Sequence, residues 1–143
     1  MDNYMKLKFP GKSRNEAFAR AAAGAFAAQL DPTCEELADI KTAVSEAVTN
    51  AIVHGYASRH GEVEMTCRIE GDMFLVTVTD QGCGIEDIDL AMQPLYSGAP
   101  GEERSGMGFT VMESFMDTLK VDSAPGAGTS VTMTKRIGMG FYE

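Results

Sequence analysis

Four short segments carry side chains whose types and order suit the binding of a nucleotide. They are Glu46-Ala47-Val48-Thr49-Asn50, Asp80-Gln81-Gly82-Cys83-Gly84, Gly106-Met107-Gly108 and Gly126-Ala127-Gly128-Thr129. Because glycine has no Cβ, its backbone can approach a phosphate or a base closely. No single segment would establish the site, but the four in this order indicate one.

Glu46 and Asn50 are four positions apart, so on a helix they would present a carboxylate and an amide on the same face. An Asn carbonyl oxygen is a hard ligand that suits Mg²⁺, and the neighbouring Glu46 would remain available as a base. A solvated polar stripe on an amphipathic helix would explain the same pair if this segment stood alone.

Asp80 follows an apolar run and precedes Gly82 and Gly84. Its carboxylate could accept a hydrogen bond from an exocyclic amine, in a pocket that the glycines keep open, and this would select adenine. An ordinary strand-ending Asp-x-Gly turn is the alternative. Cys83, between the glycines, is most simply a small filler residue, with a redox role as the weaker alternative.

The segment Arg104-Ser105-Gly106-Met107-Gly108 is predicted to lead into a helix and to bind the triphosphate. Free N–H groups and the dipole at a helix start favour an anion, and the glycines allow close approach. Arg104 could contact the terminal phosphate or form a surface ion pair with its glutamate neighbours. Residues 93–105 combine Pro, Gly and Ser without apolar periodicity, which predicts a mobile lid.

These segments need a scaffold, and the apolar periodicity predicts an α+β fold of two layers. A capping box at Ser13 and Glu16 predicts a first helix that buries Ala17, Phe18, Ala21, Ala22, Ala25 and Phe26. A second box at Thr33 and Glu36 begins a long helix that closes near Gly55. Strand patterns occur at 5–9, 63–69, 74–79, 119–121 and 129–135, with a third helix at 108–116. The sum predicts an antiparallel or mixed sheet with helices on one face and an edge strand at its start.

The 143 residues suit one domain, 1–143, of which 44% are hydrophobic and 23% charged. A net charge of −9 argues against binding to nucleic acid. No apolar run approaches the roughly 18 residues of a membrane helix, and no signal segment is evident, so we expect no membrane partner and a cytoplasmic location. Three cysteines and two histidines predict reduced thiols and no structural zinc.

Other phosphate chemistries lack their motifs. The sequence contains no GxxxxGK[ST] loop, no VAIK or HRD element of eukaryotic kinases, and no GxGxxG after an amino-terminal strand. A different nucleotide-binding architecture is therefore expected.

Together, the four segments resemble the asparagine box and the three glycine boxes of the GHKL ATPase/kinase superfamily. The strings Asn15-Glu16-Ala17-Phe18-Ala19-Arg20, Gln29-Leu30-Asp31-Pro32-Thr33 and Glu103-Arg104-Ser105-Gly106-Met107-Gly108 look like those of the anti-sigma F factors of endospore-forming bacteria. The resemblance implies a Bergerat-type sandwich that uses ATP, ADP and Mg²⁺. It implies a homodimer that inhibits sporulation sigma factor F and phosphorylates its anti-anti-sigma antagonist on serine.

The same resemblance assigns roles to individual residues. It implies that Glu46 orients or deprotonates the serine, Asn50 holds Mg²⁺, and Asp80 reads adenine with support from Thr129. It further implies that Gly106 and Gly108 cradle phosphate and that Glu16 and Arg20 bind partners; a capping box for Glu16 and mere solubility for Arg20 are the alternatives. Two other functions stay open: a nucleotide-gated sigma-binding module with negligible kinase activity, and a general-stress-type anti-sigma kinase.

Overall fold

The computed structural model describes residues 2–55, 61–82 and 108–138, and within them five strands form one sheet. The strands are β1 (Asp2–Pro10), β2 (Glu62–Glu70), β3 (Met73–Asp80), β4 (Thr118–Ser123) and β5 (Thr129–Arg136). Their order is β1-β2-β3-β5-β4, and every neighbouring pair is antiparallel. The first strand therefore occupies an edge of the sheet, as its sequence pattern predicted.

Three helices lie in the described ranges, and the middle one contacts both of the others. They are α1 (Asn15–Ala27), α2 (Cys34–Asn50) and α3 (Gly108–Phe115). A 3₁₀ turn (Ala28–Leu30) follows α1, and a π-helical turn (Ala51–Gly55) continues α2. Because α2 is central to the helical layer, its orientation fixes where its polar side chains can reach.

The core lies between the helices and one face of the sheet. Side chains alternate along the central strands, and the inward row is buried: Val63, Met65, Cys67, Ile69, Phe74, Val76, Val78, Val131 and Met133. On the outward row, hydroxyl groups pair across β3 and β5, as between Thr77 and Thr132 at 3.1 Å. The predicted α+β architecture, a two-layer sandwich with helices on one face, is confirmed.

The start of α2 follows the predicted capping box. The Glu36 N–H donates to Thr33 Oγ1 at 3.0 Å, and the Thr33 N–H donates to Glu36 Oε1 at 2.8 Å. Asp31 just before it has a φ of 51°, the left-handed region in which few residues other than glycine are comfortable. This residue ends the preceding turn and lets the chain reverse into α2.

The first helix departs from the prediction in two ways. It begins at Asn15, and the Glu16 N–H donates to the backbone carbonyl of Ser13, whereas the Glu16 carboxylate pairs with Arg20 at 3.2 Å. The predicted Ser13 and Glu16 capping box is therefore wrong. A cation four residues away on the same helix face, here Arg20, competes with the cap for the glutamate carboxylate.

The buried face of α1 agrees with the prediction only at Phe26 and, in part, at Ala22. Ala19, Ala23, Gly24, Phe26 and Ala27 are buried, whereas Phe18 is 57% exposed and Ala17, Ala21 and Ala25 face solvent. The helix is apolar on nearly all sides, so periodicity alone could not select the face. The small buried residues allow α2 to approach closely.

Candidate functional site

The carboxyl-terminal end of α2 presents Glu46 and Asn50, both half-buried. The opposite side of the same turns is held in the core by Ala47 and Val48, so packing determines the direction of the two polar side chains. The chain then continues into the π-helical turn, which packs against β3. Such turns occur frequently at functional sites because they displace side chains from regular helical positions.

Gly108, the first residue of α3, lies directly against these two side chains. A Cβ at this position would be 3.2 Å from Asn50 Nδ2 and 3.3 Å from Glu46 Oε2. Both separations are tighter than nine in ten Cβ contacts in proteins, so any larger residue would have to displace the polar groups by a few tenths of an ångström. The structure thus brings Glu46, Asn50 and Gly108 together, as the sequence predicted for one site.

Asp80, at the end of β3, is only 4% exposed. Its Oδ1 accepts a hydrogen bond from the Gly82 N–H at 2.9 Å, and the Thr129 N–H also donates to this carboxylate. Burial raises the pKa of Asp80, and the two N–H donors oppose that rise without cancelling it. A buried carboxyl at a strand end is costly, which favours a role beyond stability.

Gly128, which precedes β5, is required by the backbone beside Asp80. Its φ is 81°, and a Cβ there would clash with the Asp80 carbonyl oxygen. Only glycine can bring the two chain segments this close. The sequence placed Gly128 in a segment suited to close backbone approach but did not indicate that this residue packs against the Asp80 backbone. The only available signal was its position directly before Thr129.

Thr129 and Ser123 form the hydroxyl part of the same corner. Ser123 Oγ lies 2.7 Å from Thr129 Oγ1 and donates to the Gly128 carbonyl at 2.9 Å. Thr129 therefore contacts Asp80 through its backbone and Ser123 through its side chain. Sequence reasoning did not find Ser123, because a serine at the end of a short strand carries no distinguishing pattern.

The polar groups around Gly108 and those around Asp80 offer complementary chemistry for a nucleotide. Asn50 supplies an oxygen ligand, Glu46 a carboxylate, Asp80 a buried acceptor, and the start of α3 supplies backbone N–H groups. Within residues 2–55, 61–82 and 108–138, no three His, Cys, Asp or Glu side chains are grouped as a metal site. A Mg²⁺ at Asn50 would take most of its ligands from phosphate and water, which is its usual preference.

Several predicted positions lie outside the described residues. These are Gly84, Arg104, Ser105, Gly106, the lid at 93–105 and Cys83. The two cysteines inside the described ranges, Cys34 and Cys67, are free thiols. Burial raises the pKa of Cys67 to about 12, which makes it an inert core residue.

Glu16 and Arg20 lie on α1 and pair with each other rather than with the α2 side chains described above. Arg20 is more exposed than Glu16, and the neighbouring Phe18 ring faces solvent. This part of α1 therefore combines a charged pair with exposed apolar surface.

Comparisons with known proteins agree with this geometry. The family model of the histidine kinase-like ATPase domain matches residues 9–135. A protein of Thermoanaerobacter pseudethanolicus named anti-sigma F factor is 60% identical over 136 residues, 95% of each chain. One of the same name from Clostridium kluyveri is 57% identical over 134 residues, 94% of each chain.

Two solved structures share the fold at low identity. The RsbU and RsbW domains of a Mycobacterium tuberculosis protein align with a TM-score of 0.68 and 20% identity, covering 94% of this chain and 32% of that one. The mycobacterial sensor histidine kinase MprB aligns with a TM-score of 0.56 and 22% identity, covering 71% and 72%. In the part of the chain that is described, no helix is long and apolar enough to cross a membrane.

Proposed function

Because the chain belongs to the histidine kinase-like ATPase domain family and, within it, to the anti-sigma F factors, we propose that it inhibits sporulation sigma factor F and phosphorylates an anti-anti-sigma factor. ATP with Mg²⁺ is the phosphoryl donor, and a serine of the anti-anti-sigma factor is the acceptor. The observation that carries the proposal is that Asn50 and Glu46 lie so close to Gly108 that a Cβ there would meet both side chains. It supports the proposal because the proposed metal ligand, the proposed base and the start of a helix lie in one place.

The adenine end of the site is proposed at Asp80. Its buried carboxylate suits a hydrogen bond from an exocyclic amine. The Gly128 backbone packs closely against the Asp80 backbone and so helps to fix the position of this carboxylate. Gly82 and Thr129 hold the carboxylate through their N–H groups, which limits its rotation. A fixed acceptor of this kind distinguishes adenine from a base that presents a carbonyl at the same position.

The phosphate end is proposed at the start of α3. Asn50 would contribute its side-chain oxygen to Mg²⁺, and Gly108 would leave room for a phosphate beside the free N–H groups of the helix start. Gly84, Arg104, Ser105 and Gly106 are proposed to complete this end of the site. Residues 93–105 are proposed as a lid on a single domain that spans 1–143.

Glu46 is the residue that makes the proposed site a kinase. Nucleotide binding requires Asn50, Asp80 and the glycines, whereas a carboxylate beside them adds a group that can accept a proton. Bound ATP supplies the phosphoryl group, and Glu46 would orient the acceptor serine and take the proton of its hydroxyl.

The protein partners are proposed to bind at α1. Glu16 and Arg20 offer charge of both signs, and the exposed Phe18 ring offers an apolar contact next to them. We propose that the protein acts as a cytoplasmic homodimer, that ATP favours the sigma-bound form, and that the ADP form holds unphosphorylated anti-anti-sigma factor. No nucleic acid or membrane partner is proposed.

Two other functions compete with this one. A nucleotide-gated sigma-binding module would need Asn50 and Asp80 but not Glu46, so the presence of Glu46 favours the kinase. A general-stress-type anti-sigma kinase would use the same chemistry with another sigma factor. The 54–60% identity with proteins named anti-sigma F factor favours sigma factor F.

One experiment separates these functions. The protein is incubated with labelled ATP, sigma factor F and the anti-anti-sigma factor, and phosphoserine and free sigma are measured together. The kinase predicts label on serine along with sigma release, and the Glu46→Gln variant should release sigma without transferring label. Release without label in the parent protein would support the binding module, and failure to bind sigma factor F would favour another sigma factor.

A further inference from the structure

Lys135 occupies a position in β5 at which the strand pattern favours an apolar residue. Val131, Met133 and Ile137 face the helices and are buried, and Lys135 stands in the same row between the last two. Its side chain is only 13% exposed. A lysine is seldom retained between a sheet and its helices unless its charge is compensated there.

The compensation comes from two helices at once. Lys135 Nζ donates to the backbone carbonyl of Phe115 at 2.8 Å and lies 3.6 Å from Asp39 Oδ2. Phe115 is the last residue of α3, where carbonyls lack helical partners and the helix dipole favours a cation. Asp39 is on α2, so one ammonium group joins the end of α3 to the first half of α2.

The other end of α3 is the end that contacts the candidate site. A Cβ on Gly108 would meet Asn50 and Glu46, while Phe115 is held near Asp39, so α3 runs antiparallel to α2. The eight residues of α3 span about 12 Å at the usual helical rise. A helix this short moves largely as a rigid body, so holding one end limits sliding and rotation at the other.

We propose that Lys135 is a positioning residue for the nucleotide site: it holds α3 against α2 from the sheet and thereby keeps Gly108 in contact with Asn50 and Glu46. This inference rests on the proposed function, because it assumes that the nucleotide binds at those residues. It extends the site to a side chain that touches neither the nucleotide nor the acceptor serine.

The test compares Lys135→Met with Lys135→Arg in the full chain. Methionine keeps the apolar stem and removes the cation, so Mg-ATP affinity should fall roughly three- to tenfold, and amide hydrogen exchange at 112–115 should accelerate by a similar factor. Arginine restores a cation and should recover affinity to within about twofold. Lys120→Met is the matched control, since Lys120 is 74% exposed and pairs only with Asp122 among the described contacts; it should change neither quantity.

A double-mutant cycle with Gly108→Ala distinguishes positioning from general stability. If Lys135 presses α3 onto α2, Lys135→Met should let the helix shift and accommodate the added methyl group. The combined loss of affinity should then be smaller than the product of the two single losses. Asp39→Asn removes only the ion pair and should show a smaller loss, which also covers the case that Lys135→Met folds poorly.

The outcomes separate the two proposals. Full affinity in Lys135→Met, or multiplicative losses in the cycle, would overturn the positioning role even while Asn50→Ala abolishes binding. Normal binding by Asn50→Ala would overturn the site itself, and with it the role assigned to Lys135.

Discussion

The two ends of α2 are built differently. At its amino-terminal end, Thr33 and Glu36 satisfy each other's backbone groups, and Glu36 Oε2 also accepts the Gly138 N–H at 3.0 Å. At its carboxyl-terminal end, the helix passes into a π-helical turn and presents Glu46 and Asn50 to the glycine that begins α3. The first end is stabilised by a local capping box and one long-range hydrogen bond from Gly138, whereas the second collects polar groups around a close backbone contact.

The difference indicates a division of labour within one helix. A well-capped start and a buried apolar face hold α2 in place, so the far end can carry an irregular turn and a polar cluster at a cost in stability. Substitutions at the first end should therefore lower the free energy of unfolding and spare binding. Substitutions at the second end should weaken binding and leave the free energy of unfolding nearly unchanged.

The largest effect is expected for Glu46→Gln. The amide keeps the size of the side chain but cannot accept a proton, so phosphoryl transfer to the anti-anti-sigma serine should slow by roughly 10² to 10⁴. ATP affinity and sigma binding should remain. Single-turnover assays with labelled ATP measure the rate, and an unchanged rate would remove Glu46 from the mechanism.

Gly108→Ala should weaken nucleotide binding about tenfold, because the added methyl group must displace Asn50 or Glu46. Gly24→Ala is the matched control on α1. Its Cβ would meet the end of the flexible Lys41 side chain, which can move aside, so affinity should not change. Calorimetric titration with Mg-ATP measures both variants, and equal affinities would show that the contact at Gly108 does not serve the site.

Thr33→Ala should act at the other end of the helix. Loss of the cap hydrogen bond should lower the free energy of unfolding by about 1 kcal/mol. Urea denaturation measures this change, and the Mg-ATP affinity of the folded variant should equal that of the parent. A weakened Mg-ATP affinity under conditions in which Thr33→Ala is fully folded would mean that the two ends of α2 are not independent.

The smallest effect is a pair of opposite pH dependences. Burial acts to raise the pKa of Glu36, but hydrogen bonds from the Thr33 and Gly138 N–H groups outweigh it and lower the pKa below its ordinary 4.5. Its stabilising contribution is present above that value and is lost as the pH falls through the lowered pKa. Glu36→Gln should therefore cost more stability at pH 7 than at pH 3.

Asp80 has the opposite sign, since burial raises its pKa above the ordinary 3.8. Its contribution is present below that value and is lost as the pH rises through the raised pKa, so Asp80→Asn should cost less at pH 7 than at pH 3. Urea denaturation at several pH values measures both trends. Parallel trends in the two variants would contradict the burial and hydrogen bonding assigned to one of the carboxyls.

Much of the fold could be predicted because local signals agreed with each other. The capping box at Thr33, the alternation along β2 and β3, and the glycine-rich turn before β5 each have a short-range cause. The buried face of α1 was harder to predict, because alanines lie on both faces of this helix. Only the packing against α2 decides which face is buried. The partner chosen by Glu16 likewise depends on the position of Arg20 in the folded helix.

The candidate site divides in the same way. Glu46 and Asn50 could be paired from helical spacing alone. Asp80 could be identified as a site residue from its place after an apolar strand. Ser123 and Lys135 could not be found, and the contact of Gly128 with Asp80 could not be foreseen, because these depend on segments that are distant in sequence. Only the folded sheet brings the Gly128 backbone to Asp80, and only the folded helical layer brings Phe115 and Asp39 to Lys135.

The central claim is that the carboxyl-terminal end of α2 binds Mg-nucleotide, and titration of Asn50→Ala with ATP tests it most directly. The titration is performed with and without Mg²⁺, beside Thr33→Ala as a variant of the same helix. The account predicts that Asn50→Ala loses Mg-dependent binding while Thr33→Ala retains it. Parental ATP affinity in a folded Asn50→Ala variant would contradict the account.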